Sequence, residues 1–370
     1  MNDPVTERAA DIFLKHEKVA ALLREVGRDG LLVLDPANFA WLTAGATARG
    51  VADAADLPAL YLQGPQRWLL CCNADTQRLF DEELDGLGFQ LKEWPWYGGR
   101  AKLLADLVFG KKAACDLPFA DCLNVGDRLR LLRRTLSTWE QARLRELGEA
   151  VAHALEATCR HVERGDSEEE TAGQLSHRFV HHNIDPLTIQ VSGDGRNRVH
   201  RRRGFTAAKI EHTCIVQTTV RKWGLHATAS RTMCFGPPPE EFYREFEMAA
   251  RITGMQMASS TARTKPADIL ATSNGILRLA GFEHEWRLCP AGWLTGVSPV
   301  EALFAPGEPT EPLELGQVVV WQGSIGAAVA ADTMLVAAGG PQLLTAPEQW
   351  PLRRIKVASF FVDRPDVLVR

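Results

Sequence analysis

The chain has 370 residues, 45% hydrophobic and 24% charged, with a formal net charge of −4. That length suits two domains, each with its own core, and the near-neutral balance gives no reason to expect nucleic-acid or membrane binding. No apolar run reaches the roughly 18–20 residues of a membrane span.

The N-terminal stretch "MNDPVTERAAD" lacks a basic segment followed by an apolar one, so no secretory signal is read there. Eight cysteines are scattered, with Cys71 and Cys72 adjacent and no C-x-x-C pair. This reads as reduced thiols and a cytoplasmic protein.

Ile12, His16, Val19, Leu23 and Val26 recur at helical spacing, and "GLLVL" (30–34) follows as a buried strand. "DPANFAWLT" (35–43) reads as a turn into a short helix. The apolar segments "LPALYLQG" and "RWLLCCN" precede a helical stretch from about Ala74, and "QLKEWPWY" and "KKAACDLPF" again alternate with helical patterns. Strands alternating with helices predict an α/β domain over residues 1–136.

The character changes at Ser137, which with Glu140 forms a capping-box pattern. Leu144, Leu147, Val151, Leu155, Thr158 and Val162 then share one helical face, and Gly165 follows as a stop signal. Ser167 and Glu170 open a second helix in the same way. "LTIQVSG", a strand-rich stretch from Ile210 to Gly236, helices over about 239–280 and a final mixture of short strands and turns predict an α+β domain over 137–370.

Several stretches, in order, resemble the creatinase, prolidase and aminopeptidase P family of metallopeptidase-type proteins. "GLLVLDPANFAWLTAG" resembles the first strand and turn of the family's N-terminal α/β domain. "GLHATASRTMCFG" (224–236) resembles its G-Y-x-x-D-x-T-R-T-x-x-x-G stretch. "HEWRLCPAGWLTGVSPVEAL" resembles the segment with a ligand histidine and a later glutamate, here Glu301, and "LELGQVVVWQGSIGAAVAADTMLVAAGGPQLLT" resembles the closing pair of strands. The resemblance implies a C-terminal pita-bread domain and a homodimer.

Peptidases of that family hold two divalent cations with two Asp, one His and two Glu, whose carboxylates offset the repulsion between metals that activate a water. Transferred residue by residue, the first Asp falls on Gln217 and the second on Thr228. The histidine falls on Cys289 or Pro290, and the glutamates on Gln322 and Ala331. Such a set has no carboxylate, so neither a dinuclear site nor any other cofactor is expected. Creatinase-like, metal-independent hydrolysis of a small C–N substrate would use His200 as acid/base, but its carboxylates would fall on Ser230 and Ala331. The leading reading is a peptidase-inactive pseudoenzyme that binds a small ligand or a partner. The alternatives are the creatinase-like hydrolase and an Xaa-Pro aminopeptidase or dipeptidase with unconventional ligands.

"RNRVHRRR" carries five arginines in eight residues: Arg196, Arg198, Arg201, Arg202 and Arg203. By the resemblance this loop borders the pocket, and Arg201 and Arg203 would receive a small anionic ligand there; the plainer reading pairs the arginines with surface glutamates. Neither His177 and His181 at i, i+4, beside His182, nor His226 is expected to serve a metal. Arg231 is expected to pair with an acid such as Asp332. Trp223, Trp286, Trp293 and Trp321 are expected to fill the volume near the lost ligand positions.

Overall fold

The computed structural model describes residues 4–305, 310–357 and 360–370; the first three residues of the N-terminal stretch lie outside them. The chain divides into two compact units, one up to Glu140 and one from Gln141 to Arg370.

The first unit is α/β. Helix Pro4–Glu25 buries Ile12, Val19 and Leu23, as their spacing predicts. Strand Gly30–Val33 is wholly buried, and Asp35 caps helix Pro36–Leu42 by accepting from the Ala37 N–H at 2.9 Å. Six strands form one mixed sheet, in the order Gln90–Trp94, Gln66–Cys72, Ala59–Gln63, Gly30–Val33, Ala113–Cys115, Leu123–Asn124. The stretch after Ala74 departs from the expected helix: a single turn, Thr76–Arg78, runs into a π-helical turn, Leu79–Leu84. Its two buried leucines lie five residues apart, a spacing that suits i→i+5 geometry better than a 3.6-residue repeat.

Two polar devices tie this unit together. Lys15, buried, pairs with Asp11 at 2.6 Å and Glu140 at 2.7 Å. Glu140 also closes the predicted capping box, accepting from the Ser137 N–H at 2.9 Å while its own N–H donates to Ser137 Oγ at 3.1 Å. His16 lies 3.2 Å from the Leu42 carbonyl, and burial, then the nearby Arg67 charge, lowers its pKa to about 4.

The second unit is α+β. In helix Thr138–His161 the six residues predicted on one face, through Val162 just beyond its end, are each at most 1% exposed. Gly165, at φ +90°, turns the chain before the Ser167–Glu170 capping box opens helix Glu168–His181. A four-stranded sheet follows in the order Leu368–Val369, Leu225–Cys234, Thr213–Lys222, Asp185–Gly193. The hairpin Thr213–Lys222/Leu225–Cys234 closes through Trp223 and Gly224, both at positive φ as a two-residue turn matched to strand twist requires.

A five-stranded sheet is ordered Ala302–Leu303, Gly292–Thr295, Val318–Ile325, Ala328–Ala337, Gly340–Leu343. Helix Glu240–Ser259 packs on its two longest strands. That approach requires Gly323, where a Cβ would come within 2.7 Å of the Ala249 carbonyl oxygen. Strands Leu352–Val357 and Phe360–Pro365 pair separately. Among the described residues no helix is long and apolar enough to cross a membrane.

His16 supplies a test of the first unit. Its folded pKa lies below the unfolded value of about 6.5, so the unfolded chain takes up the proton first and stability falls as pH drops from about 6.5 toward 4. Urea unfolding at pH 7, 5.5 and 4 should show a wild-type loss exceeding that of His16→Gln by about 2–3 kcal/mol. Equal pH dependence in the two proteins would contradict the assignment.

Candidate functional site

The positions to which the resemblance assigns metal ligands lie on the long strands of the second unit. Gln217 is on Thr213–Lys222, Thr228 on Leu225–Cys234, Gln322 on Val318–Ile325 and Ala331 on Ala328–Ala337. Cys289 precedes strand Gly292–Thr295.

Three of the five form one hydrogen-bonded chain. Gln217 Nε2 donates to Gln322 Oε1 at 2.6 Å, and Gln322 Nε2 donates to Cys289 Sγ at 2.9 Å and to the Pro290 carbonyl at 3.4 Å. Arg203 heads the chain, donating through Nη2 to Gln217 Oε1 at 3.4 Å and through Nη1 to Asn197 Oδ1 at 2.6 Å. Burial lowers its pKa to about 10, which leaves it charged at neutral pH. Burial pushes the Cys289 thiol up, against the opposing pull of Arg201, Arg202 and Arg203. The sulfur is therefore a neutral thiol at pH 7.

The other two positions are separately engaged. Thr228 Oγ1 lies 2.9 Å from Thr219 Oγ1, and the Thr228 backbone exchanges two hydrogen bonds of 2.8 Å with Thr333 Oγ1. The Ala331 N–H donates to Ser230 Oγ at 2.8 Å, while its methyl belongs to an apolar cluster with Ile215, Phe246 and Ala250. His200 is exposed, and no hydrogen bond of its side chain is found among the described residues. Glu301 accepts from the Ser298 N–H at 2.9 Å and so shapes a turn.

The arginine-rich loop is mostly paired, and two of its partners are buried rather than surface glutamates. Arg196 grips Glu168 with two bonds, at 2.8 and 2.7 Å, and Arg198 meets Glu245 at 2.7 Å; Glu168 and Glu245 are both buried. Arg201 meets Glu285 at 2.9 Å and donates to Ser324 Oγ at 3.1 Å, while Arg202 is exposed. Sequence reasoning missed this sorting, because the partners come from three distant elements.

Arg231 pairs with Asp332 at 3.1 Å, as expected, and also with Glu156 at 3.5 Å. Asp332 further accepts from Arg364 at 2.6 Å and from Thr345 Oγ1 at 2.7 Å. His226 is buried, with Nδ1 3.0 Å from the Gly296 carbonyl. Trp321 is fully buried, donating to Ser260 Oγ at 2.8 Å, whereas Trp223, Trp286 and Trp293 are half-buried. His177, His181 and His182 are exposed, with ring centroids 6.1 and 5.1 Å apart in succession. Among the described residues no group of three or more His, Cys, Asp or Glu is placed to hold a metal ion.

The model of metallopeptidase family M24 matches residues 142–332. No curated protein matches the chain. Among solved structures, the dipeptidase PepE from Mycobacterium ulcerans is similar over 98% of this chain and 99% of its own, at 16% identity and a TM-score of 0.77. The Xaa-Pro dipeptidase from Bacillus anthracis is similar over 97% and 100%, at 14% identity and 0.75. The N-terminal domain of the FACT complex subunit SPT16 from Cicer arietinum is similar over 93% and 96%, at 11% identity and 0.66. These likenesses cover both units and show an α/β N-terminal domain followed by a pita-bread α+β domain.

Asp332 receives two buried guanidinium groups, so its loss leaves both without this carboxylate. Asp332→Ala should cost about 3–5 kcal/mol in urea unfolding, and a loss below about 1 kcal/mol would contradict the network's role.

Proposed function

The chain belongs to metallopeptidase family M24, and from that premise we propose that it is a metal-free, peptidase-inactive member that binds a small ligand or a partner. The observation that carries this reading is the direct Gln217–Gln322–Cys289 chain with a buried guanidinium at its head.

Two divalent cations need bridging carboxylates to offset their mutual repulsion. At the five positions stand two amides, a hydroxyl, a methyl and a neutral thiol. This donor set does not fit the metal pair. The amides, moreover, are engaged with one another, with Arg203, with Cys289 and with the Pro290 carbonyl. Two unit charges about 4 Å apart exchange about 4 kcal/mol at an effective dielectric of about 20, and a divalent ion near Arg203 would meet twice that as repulsion.

The fold itself occurs under both descriptions, since PepE and the Bacillus anthracis protein are named dipeptidases and the SPT16 domain is named as part of a complex subunit. The reading extends to a cytoplasmic homodimer, on the family resemblance and the reduced-thiol composition.

The test is elemental analysis after equilibration with excess Mn(II), Co(II) and Zn(II) and gel filtration, which also reports the dimer. Less than about a tenth of an equivalent should remain, and Xaa-Pro dipeptides should not be cleaved. Retention near two equivalents with cleavage would overturn the reading. Metal that disappears in His181→Ala belongs to the exposed histidines and not to the pocket.

A further inference from the structure

We propose that the Arg203 guanidinium anchors a site for a small monocarboxylate; this deepens the ligand-binding reading above and rests on it. Of the five loop arginines, Arg196, Arg198 and Arg201 each face a carboxylate, and Arg202 is exposed to water. Arg203 differs from all four. It is 4% exposed, and its two hydrogen bonds go to the side-chain carbonyls of Asn197 and Gln217. No carboxylate pairs with it among the described residues; its Nε, like that of Arg201, has no hydrogen-bond partner there. A buried cation without a counter-charge is strongly unfavourable, and an arriving anion removes the penalty.

The neighbours leave a way in. Gln217, Gln322 and Ser324 are 7%, 8% and 8% exposed, and the Arg201 side chain 10%. Each keeps a little surface, and that is the side from which a small molecule would enter. The charge count selects the ligand class. Apart from the water-exposed Arg202, Arg203 alone of the loop arginines lacks a paired carboxylate among the described residues, so the site balances one negative charge, which favours a carboxylate over a phosphate dianion. A planar carboxylate also matches the guanidinium fork, whose Nε–H has no partner among the described residues.

The test uses the full chain, calorimetric titration and thermal unfolding with sodium acetate, against sodium phosphate and sodium chloride at equal ionic strength. Acetate should bind saturably and raise the melting temperature more than either control. Arg203→Gln should weaken acetate binding at least about tenfold, and Arg203→Lys, which keeps the charge but loses the fork, should also weaken it. Arg202→Gln should leave it unchanged. If Arg203→Gln does not fold, Arg203→Lys carries the test. Absence of saturable acetate binding, tighter binding of phosphate, or unaltered binding in Arg203→Lys and Arg203→Gln would each overturn the inference. Metal content of the same preparation separates the two readings: metal-free protein indifferent to acetate refutes this inference alone.

Discussion

The second unit depends on one buried carboxylate. Asp332 accepts from Arg231 and Thr345 at one oxygen and from Arg364 at the other, and Arg231 also reaches Glu156. These bonds join the long first helix, the four-stranded sheet, the five-stranded sheet and the closing two-stranded pair. Two guanidinium groups face two carboxylates, so the charge is balanced where water is absent. Removing one member is costly because the others are then left buried and unmatched. Such a network ties together the two sheets that carry Gln217, Thr228, Gln322 and Ala331.

Much of this frame was legible because its signals are local. Both capping boxes rest on residues three apart, and the apolar face of the long helix on a 3.6-residue repeat. The α/β and pita-bread architectures were likewise readable from the order of patterned stretches and their resemblance. The candidate site was transferred as positions, residue by residue along the strands, and its contacts were not legible. Gln217 and Gln322 are 105 residues apart in the chain, and no local rule says that their amides meet. The distinct status of Arg203 was hidden for the same reason: the carboxylates that neutralise its neighbours are Glu168, Glu245 and Glu285, far away in sequence. The π-helical turn at Leu79–Leu84 was read as ordinary helix because one pair of leucines five residues apart is too short a pattern to set a repeat.

Strand alternation explains how a metallopeptidase frame can persist beside a pocket without carboxylates. In the five-stranded sheet Gln322 lies opposite Ala331, and Trp321 opposite Asp332. In the four-stranded sheet Gln217 lies opposite Ser230, and Val216 opposite Arg231. Successive side chains point to opposite faces of a sheet. Gln217 and Thr228 therefore share a face of their sheet, and Gln322 and Ala331 a face of theirs, while Arg231, next to Ser230, and Asp332, next to Ala331, project from the opposite faces. Changes on the pocket face do not touch the ion network that holds the strands. They must still satisfy the polar groups they bury, and the amide chain from Gln217 to Cys289 does so without net charge. Arg203 is the exception on that face, a charge that neither the network nor the amides neutralise. A buried guanidinium without a paired carboxylate carries a desolvation cost that an apolar or amide side chain would avoid. That uncompensated charge, at 4% exposure, is the physical reason for the proposal that the site receives an anion.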